Sequence, residues 1–284
     1  MIPEQVTIGF IGAGNMASAM MGALSSAGVS GTRLKVSDVS EERLAAAAGL
    51  YGAGIAPDNR ALFAASDAVI LAVKPQQMGE VLAGLAPLPD FSGRKLVLSI
   101  AAGVRIETIE DRLYAGLSQD ARARLPIVRA MPNTPALVRA GACGMAANRE
   151  ASPEDRDLAR SILETTGLVR EFPEEDLDAV TAVSGSGPAY VFFLAEVMLE
   201  AARNLGLPPE DGRDLVTATL KGASLLLEQS GENPESLRRK VTSPGGTTQA
   251  AFEVLFAAGV KEAFLDALAA AAHRARVLSG AAGR

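Results

Sequence analysis

Cysteine and histidine are almost missing from this sequence: Cys143 and His273 are the single examples of each in 284 residues, and tryptophan is absent. One cysteine cannot close an internal disulfide, and one cysteine with one histidine cannot assemble a His/Cys ligand set, so no metal is expected. Positive charge is also scarce. Lys and Arg number 27 against 33 Asp and Glu, the formal net charge is −6, and there is no long basic run. That balance argues against nucleic acid or an anionic membrane surface as a partner. The opening MIPEQVTIGF has neither the basic region nor the unbroken apolar stretch of a signal peptide. No later segment reads as reaching the ~20 apolar residues that span a bilayer, so a cytoplasmic protein is expected. What the chain does have is 48% hydrophobic against 21% charged residues, enough for a sizeable core in one large domain or two ordinary ones.

Two textures follow one another. Up to Phe172, short β-rich runs (VTIGFI, LKV, AVILAV, LVLSI, GLVREF) alternate with Ala/Leu-rich amphipathic stretches, the pattern of βαβ units around a doubly wound parallel sheet. After Phe172 strand-like runs disappear. Apolar residues at helical spacing predict helices over Leu177–Val183, Tyr190–Leu205, Asp214–Gln229, Gln249–Ala258 and Ala263–Leu278. The expected division is therefore an α/β domain over residues 1–172 and an all-α domain over residues 173–284.

The strongest local signal is VTIGFIGAGNMASAM. Gly12-x-Gly14-x-x-Ala17 follows a strand pattern and opens a helix, the context that turns a glycine pattern into a Rossmann-type dinucleotide site. Gly12 allows the tight turn, Gly14 with Asn15 and Met16 presents backbone amides to a pyrophosphate at the helix start, and small Ala17 permits close packing of strand and helix. In LKVSDVS, Asp38 stands 21 residues after Ala17, where a carboxylate can accept the ribose 2′-hydroxyl of NAD and repel a 2′-phosphate. Ser37, Ser40, Arg33 and Arg43 point the other way, toward a phosphate, and a cap on the following helix is a third role for Asp38.

Further along, AVILAVKPQ reads as a buried strand stopped by Lys74-Pro75, which places Ala72 to Pro75 on the wall of a cofactor site at the carboxyl edge of the sheet. Asn59 is either a helix N-cap or a cofactor contact. Ile100 to Gly103, with Ala102 among them, are small enough for a nicotinamide to lie against. Asn133 and Thr134 sit between two prolines in a rigid turn that is structural or part of the site. VSGSGPAY starts a helix with Pro188 in its first turn. That helix is apolar on nearly every side, which suits a dimer contact as much as a subunit core. Finally VTSPGGTTQA leads into a helix. Its amides, the helix dipole and the hydroxyls of Ser243, Thr247 and Thr248 form a nest for a small anion such as a substrate carboxylate, or else a Gly-rich turn with a Thr N-cap.

Together these pieces resemble the pyrroline-5-carboxylate reductase family, which forms L-proline: GFIGAGNMA, AVKPQ, AAGV, MPNTPA, VSGSGPAY and VTSPGGTT stand in the family's order over almost the whole chain. The resemblance implies a Rossmann domain followed by a helical dimerisation and substrate-binding domain, NADPH or NADH as hydride donor, and homo-oligomers built from dimers. It carries cofactor binding onto Phe10, Ile11, Gly12, Ala13, Gly14, Asn59, Ala72, Val73, Lys74, Pro75 and Ala102, and substrate binding onto Ser243, Gly246, Thr247 and Thr248. Many members place Asn-Arg or similar residues after the second strand where this sequence has Asp38-Val39. The implied chemistry is hydride addition to the C5 carbon of L-1-pyrroline-5-carboxylate, and Thr248 is the expected donor to the ring nitrogen.

Four other readings are open to the sequence. A 3-hydroxyacid-type dehydrogenase shares the two-domain plan but wants a catalytic Lys after the Gly-rich segment opening the second domain, and Ser184 to Glu200 contains none. A 2-hydroxy-acid enzyme would want a histidine at the nicotinamide, whereas His273 lies on the last helix. A non-catalytic dinucleotide-sensing regulator, or a reductase of another cyclic imino acid, completes the set.

Overall fold

The computed structural model describes residues 2–88, 91 and 93–281. They form two compact units, one running to Ser186 and taking back the chain from Ala271, the other Gly187–Ala270. The division expected at Phe172–Pro173 falls instead just beyond the last strand, well inside the first unit.

The first unit is built on eight strands: β1 (Ile8–Ile11), β2 (Leu34–Ser37), β3 (Gly54–Ile55), β4 (Ala68–Leu71), β5 (Leu96–Ser99), β6 (Ile127–Met131), β7 (Gly141–Ala147) and β8 (Gly167–Glu171). They lie in the order β3-β2-β1-β4-β5-β6-β7-β8. Neighbours are parallel except β6 and β7. The helices are α1 (Asn15–Ser26), α2 (Glu41–Tyr51), α3 (Asn59–Ala64), α4 (Pro75–Leu85), α5 (Ile106–Leu113), α6 (Gln119–Ala123), α7 (Pro153–Glu164) and α8 (Leu177–Val180). The central strands are apolar throughout because helices cover both faces. The pleat sends Ile8, Phe10, Ala68 and Ile70 into one core with Met20, Met21 and Leu24 of α1, and Ile11, Val69 and Leu71 into a second with Leu62, Phe63, Met78 and Leu82.

Strand β7, GACGMAA, has no β-branched residue and gives no strand signal in the sequence. Close approach explains its composition: a Cβ on Gly144 would stand 2.8 Å from Val180 Cγ1, and one on Gly141 would stand 2.9 Å from the Thr166 carbonyl oxygen. Lys74-Pro75 does not end a strand. β4 stops at Leu71, and Pro75 is the first residue of α4, where its missing N–H costs nothing. The helix expected over Leu177–Val183 gives way at Thr181 to a π turn ending at Gly185.

A charge cluster around buried Arg129 and Asp178 joins the two chain segments of the first unit. Arg129 of β6, 2% exposed, donates to Glu174 Oε1 at 3.0 Å and lies 3.9 Å from Asp178. Ser279 donates to Asp178 Oδ2 at 3.2 Å from the far end of the chain.

The second unit consists of α9 (Gly187–Asn204), α10 (Pro209–Ser230), α11 (Pro234–Lys240), α12 (Thr247–Ala257) and α13 (Val260–Ala281), the last continuing into the first unit. Among its described residues only Ala202, Gly212 and Val216 are buried. Phe192, Phe193 and Val254 are 66%, 61% and 69% exposed. An apolar cleft of about 440 Å³ between α9 and α10 is lined by Phe192, Leu199 and Leu207. The expectation that no segment reaches membrane-spanning apolarity is corrected: the helical run Glu174–Asn204 does so by length, with a mean hydropathy of 1.4 over 18 residues of which 6% are buried. Scattered acids such as Glu196 and Glu200 break the apolar run without lowering its average far enough.

Candidate functional site

The glycine-rich loop between β1 and α1 is shaped by steric necessity. Gly12 stands at φ +99 with its amide on the Ser37 carbonyl at 2.8 Å, and a Cβ there would press to 2.8 Å from the Ala72 carbonyl oxygen. Only glycine fits so close to β4 in that conformation. Gly14 is the N-cap of α1, with no side-chain cap and no acid in the first turn, and a Cβ on it would meet nothing within 4 Å. The loop therefore offers open space and uncompensated amide dipoles, both of which suit a phosphate. Phe10 and Ile11 are fully buried, so their share in such a site is backbone only.

At the end of β2, Asp38 is 7% exposed on its side chain and turned inward. Its Oδ2 accepts from the Ala13 amide at 2.7 Å and its Oδ1 from the Ser40 amide at 2.8 Å. The carboxylate thus clamps the Gly-rich loop to the end of β2. The cap of α2 is Ser40, whose hydroxyl accepts from the Arg43 amide, so Asp38 is not the cap. Ser37 Oγ donates to Asn59 Oδ1 at 2.9 Å, coupling two predicted cofactor residues to each other. Asn59 is not a cap either: Asp58 takes that place, accepting from Ala61 at 2.7 Å. Arg33 is turned away, donating to the Val6 and Pro3 carbonyls. Ala72, Val73 and Lys74 follow β4 beside Gly12, and Ala102 is exposed in the turn after β5. Asn133 bridges structure: Nδ2 donates to the Ser184 carbonyl at 3.0 Å and Oδ1 accepts from Ala142 at 2.9 Å.

In the second unit, α12 opens without a cap of its own. Its N-cap is Gly246, not a threonine, and no acid lies in its first turn. Helices α2, α7 and α10 carry Glu41, Glu154 and Glu210 in their first turns, whereas α12, like α4 and α9, has no acid there to offset its dipole. Gly246 donates its amide to the Ser243 carbonyl at 3.0 Å, which removes it as an anion donor. A Cβ on Gly246 would stand 2.5 Å from Ser243 Oγ, so the glycine keeps room for that hydroxyl. Thr247 and Thr248 occupy the first turn, Thr248 half-buried, with their amides pointing out of the helix end.

Two groups went unseen in the sequence. Gln249 accepts from the Gly245 amide at 2.7 Å, and its place three residues after the N-cap is the signal that finds it. Arg238 lies 5.1 Å and 5.3 Å from the Phe252 and Phe256 ring centres, pinning α11 to α12 on either side of the nest.

Residues 7–103 match the family described as NADP oxidoreductase, coenzyme F420-dependent, and residues 174–278 match the pyrroline-5-carboxylate reductase dimerisation family. The pyrroline-5-carboxylate reductase of Pseudomonas aeruginosa is 41% identical over 273 residues, covering 96% of each chain. Pyrroline-5-carboxylate reductase 2 of Bacillus subtilis is 38% identical, covering 94% of this chain and 93% of its own. Among solved structures, a pyrroline-5-carboxylate reductase from Coxiella burnetii superposes with a TM-score of 0.87 at 39% identity, covering 96% of this chain and 98% of that one. The Plasmodium falciparum pyrroline carboxylate reductase with NADP bound gives 0.85 at 28% identity, covering 97% and 99%. Relatives this similar, aligned over nearly the whole length on both sides, place this chain in the pyrroline-5-carboxylate reductase family.

Proposed function

We propose that this protein reduces the C=N bond of L-1-pyrroline-5-carboxylate to give L-proline, with NADPH or NADH as reductant. The observation that carries the reading is the bare start of α12: a helix whose N-cap lacks a side chain, with Ser243 and Thr248 beside free first-turn amides. In a chain that also carries a dinucleotide loop, such a seat suits a small carboxylate that must be held while the ring is reduced.

The reduced nicotinamide supplies the hydride. The amides of Gly14, Asn15 and Met16 hold the pyrophosphate while Gly12 and Ala13, their amides on Ser37 and Asp38, shape the turn; Ser37, Asp38 and Asn59 line the adenosine side, and Ala72 to Pro75 with Ala102 line the nicotinamide side. Ser243 and the amides of Thr247 and Thr248 bind the carboxylate, while Gly246 contributes by having no Cβ. The Thr248 hydroxyl donates to the ring nitrogen and stabilises the charge that shifts there as C5 accepts the hydride.

The same reading assigns the exposed apolar surface of α9, α10 and α12 to contact with a second copy, giving homodimers that assemble further. A cytoplasmic location goes with it, because NAD(P)H and an unpaired thiol, Cys143, belong to a reducing compartment. A steady-state assay of pyrroline-5-carboxylate reduction with NADH and NADPH side by side tests the proposal. Turnover with both, and none with 3-hydroxyacids, is the expected result; no turnover of the imine with either cofactor would overturn it.

A further inference from the structure

The loop ahead of α12 is held by a side chain outside the anion seat itself. Gln249 reaches back so that its Oε1 accepts from the Gly245 amide at 2.7 Å, while its Nε2 donates to Glu253 Oε1 at 2.9 Å one turn further along. The two bonds fix the direction of the side-chain amide, since only its carbonyl can accept and only its NH₂ can donate to a carboxylate.

The arrangement is half of a capping box. In the full box the N-cap side chain takes the amide of the third helical residue, and that residue's side chain reaches back to the N-cap amide. Here the N-cap is Gly246 and has no side chain, so the forward arm is missing. The return arm is present but shifted by one residue, onto Gly245. Gly245 stands at φ +71, a conformation that glycine enters and leaves freely, so an external hold decides whether the loop keeps its shape. The net effect is a loop fixed from the helix side with its first-turn amides left for a ligand. A side-chain cap would fix the same loop but consume those amides.

We propose that Gln249, oriented by Glu253, is a positioning residue for the carboxylate of the imine substrate, a role that rests on reading the Ser243–Thr248 nest as the carboxylate anchor. Gln249 touches neither the ring nor the cofactor in this role. It sets the Gly245 backbone and through it the Ser243 hydroxyl and the first-turn amides.

Three single variants, one double variant and one pair of inhibitors test this. Gln249→Met keeps side-chain length and loses both bonds, Glu253→Leu removes the orienting acceptor, and Glu253→Gln retains one. L-Proline and L-prolinamide differ in whether an anion is present, so their relative strength as competitive inhibitors against the imine reports the anchor alone. Gln249→Met is expected to raise the KM for the imine about tenfold, with kcat within about twofold and the cofactor KM unchanged, as for a lost hydrogen-bonded hold on uniform binding. The proline-over-prolinamide preference should shrink by a similar factor. Glu253→Leu should move both quantities the same way by less, Glu253→Gln should restore them, and the double variant should be no worse than Gln249→Met alone. A Gln249→Met enzyme with wild-type imine KM and wild-type inhibitor preference would overturn the proposal while leaving the anchor intact. So would one in which kcat and thermal stability fall and both KM values rise together with the preference unchanged. A wild-type enzyme that binds prolinamide as well as proline would remove the anchor, and the proposal with it.

Discussion

Asp38 illustrates how a residue's partners decide its role. A carboxylate at the end of the second strand reads as a ribose ligand, yet both of its oxygens accept backbone amides, from Ala13 and from Ser40. Asp38→Ala should therefore raise the KM for both NADH and NADPH by releasing the Gly-rich loop. Parallel cofactor titrations check this; unchanged values for both would leave the clamp without function. Thr248 and Ser243 separate in the same way. Thr248→Ala should lower kcat by roughly ten- to a thousandfold, the range for one donor lost at a developing charge, whereas Ser243→Ala should mainly raise the imine KM. Both should bind NAD(P)H as the wild type does, which fluorescence titration measures. The glycine positions of the loop were legible in the sequence because each answers a steric requirement at fixed spacing. The inward turn of Asp38 and the engagement of the Gly246 amide were not, since both depend on where neighbouring backbone groups end up.

Among the elements, α7 shows how one start is secured. Ser152 and Asp155 form a full capping box, and Arg94 donates from Nε to Asp155 Oδ1 at 2.8 Å. Burial pushes the Asp155 carboxyl up, but the bonds from Arg94 and Ser152 outweigh it and hold it below its ordinary value of 3.8. A carboxyl depressed on folding contributes stability above its unfolded value and loses it as the pH falls through the folded one. Asp155→Ala should thus lower the melting temperature by about 5 °C near neutral pH, from about 2 kcal/mol of lost capping and ion pairing. The gap to wild type should narrow below about pH 4 as the wild-type carboxyl protonates. Scanning calorimetry across that range measures it, and a gap independent of pH would contradict the assignment. Strands β1, β2, β4, β5 and β8 were readable from their apolar runs. β7 was not, because Gly141 and Gly144 are required by close approach and the strand carries no β-branched residue. The start of α11 was readable and missed: Asn233 caps it, accepting from Ser236 at 2.9 Å, with Pro234 first in the helix.

For the whole molecule, the second unit cannot shield its own apolar side chains. With three described residues buried and phenylalanines such as Phe193 more than half exposed, it lacks the core that an independent helical domain needs. Phe193→Asp should therefore shift the protein from dimer toward monomer or aggregate by light scattering at micromolar concentration. Imine reduction should fall while cofactor binding by the first unit persists; a fully active monomer would refute the dimer. The two-texture division of the chain was visible in the sequence, but the return of α13 to the first unit was not, because nothing in a helical pattern says which body it will join. That return has a consequence for timing. Residues 187–270 are an excursion from a body that is entered twice, so Asp178 waits for Ser279 until the entire second unit has been synthesised. A growing chain can pair its strands early, yet it keeps Arg129 and two carboxylates short of their final partner through the manufacture of every helix in between.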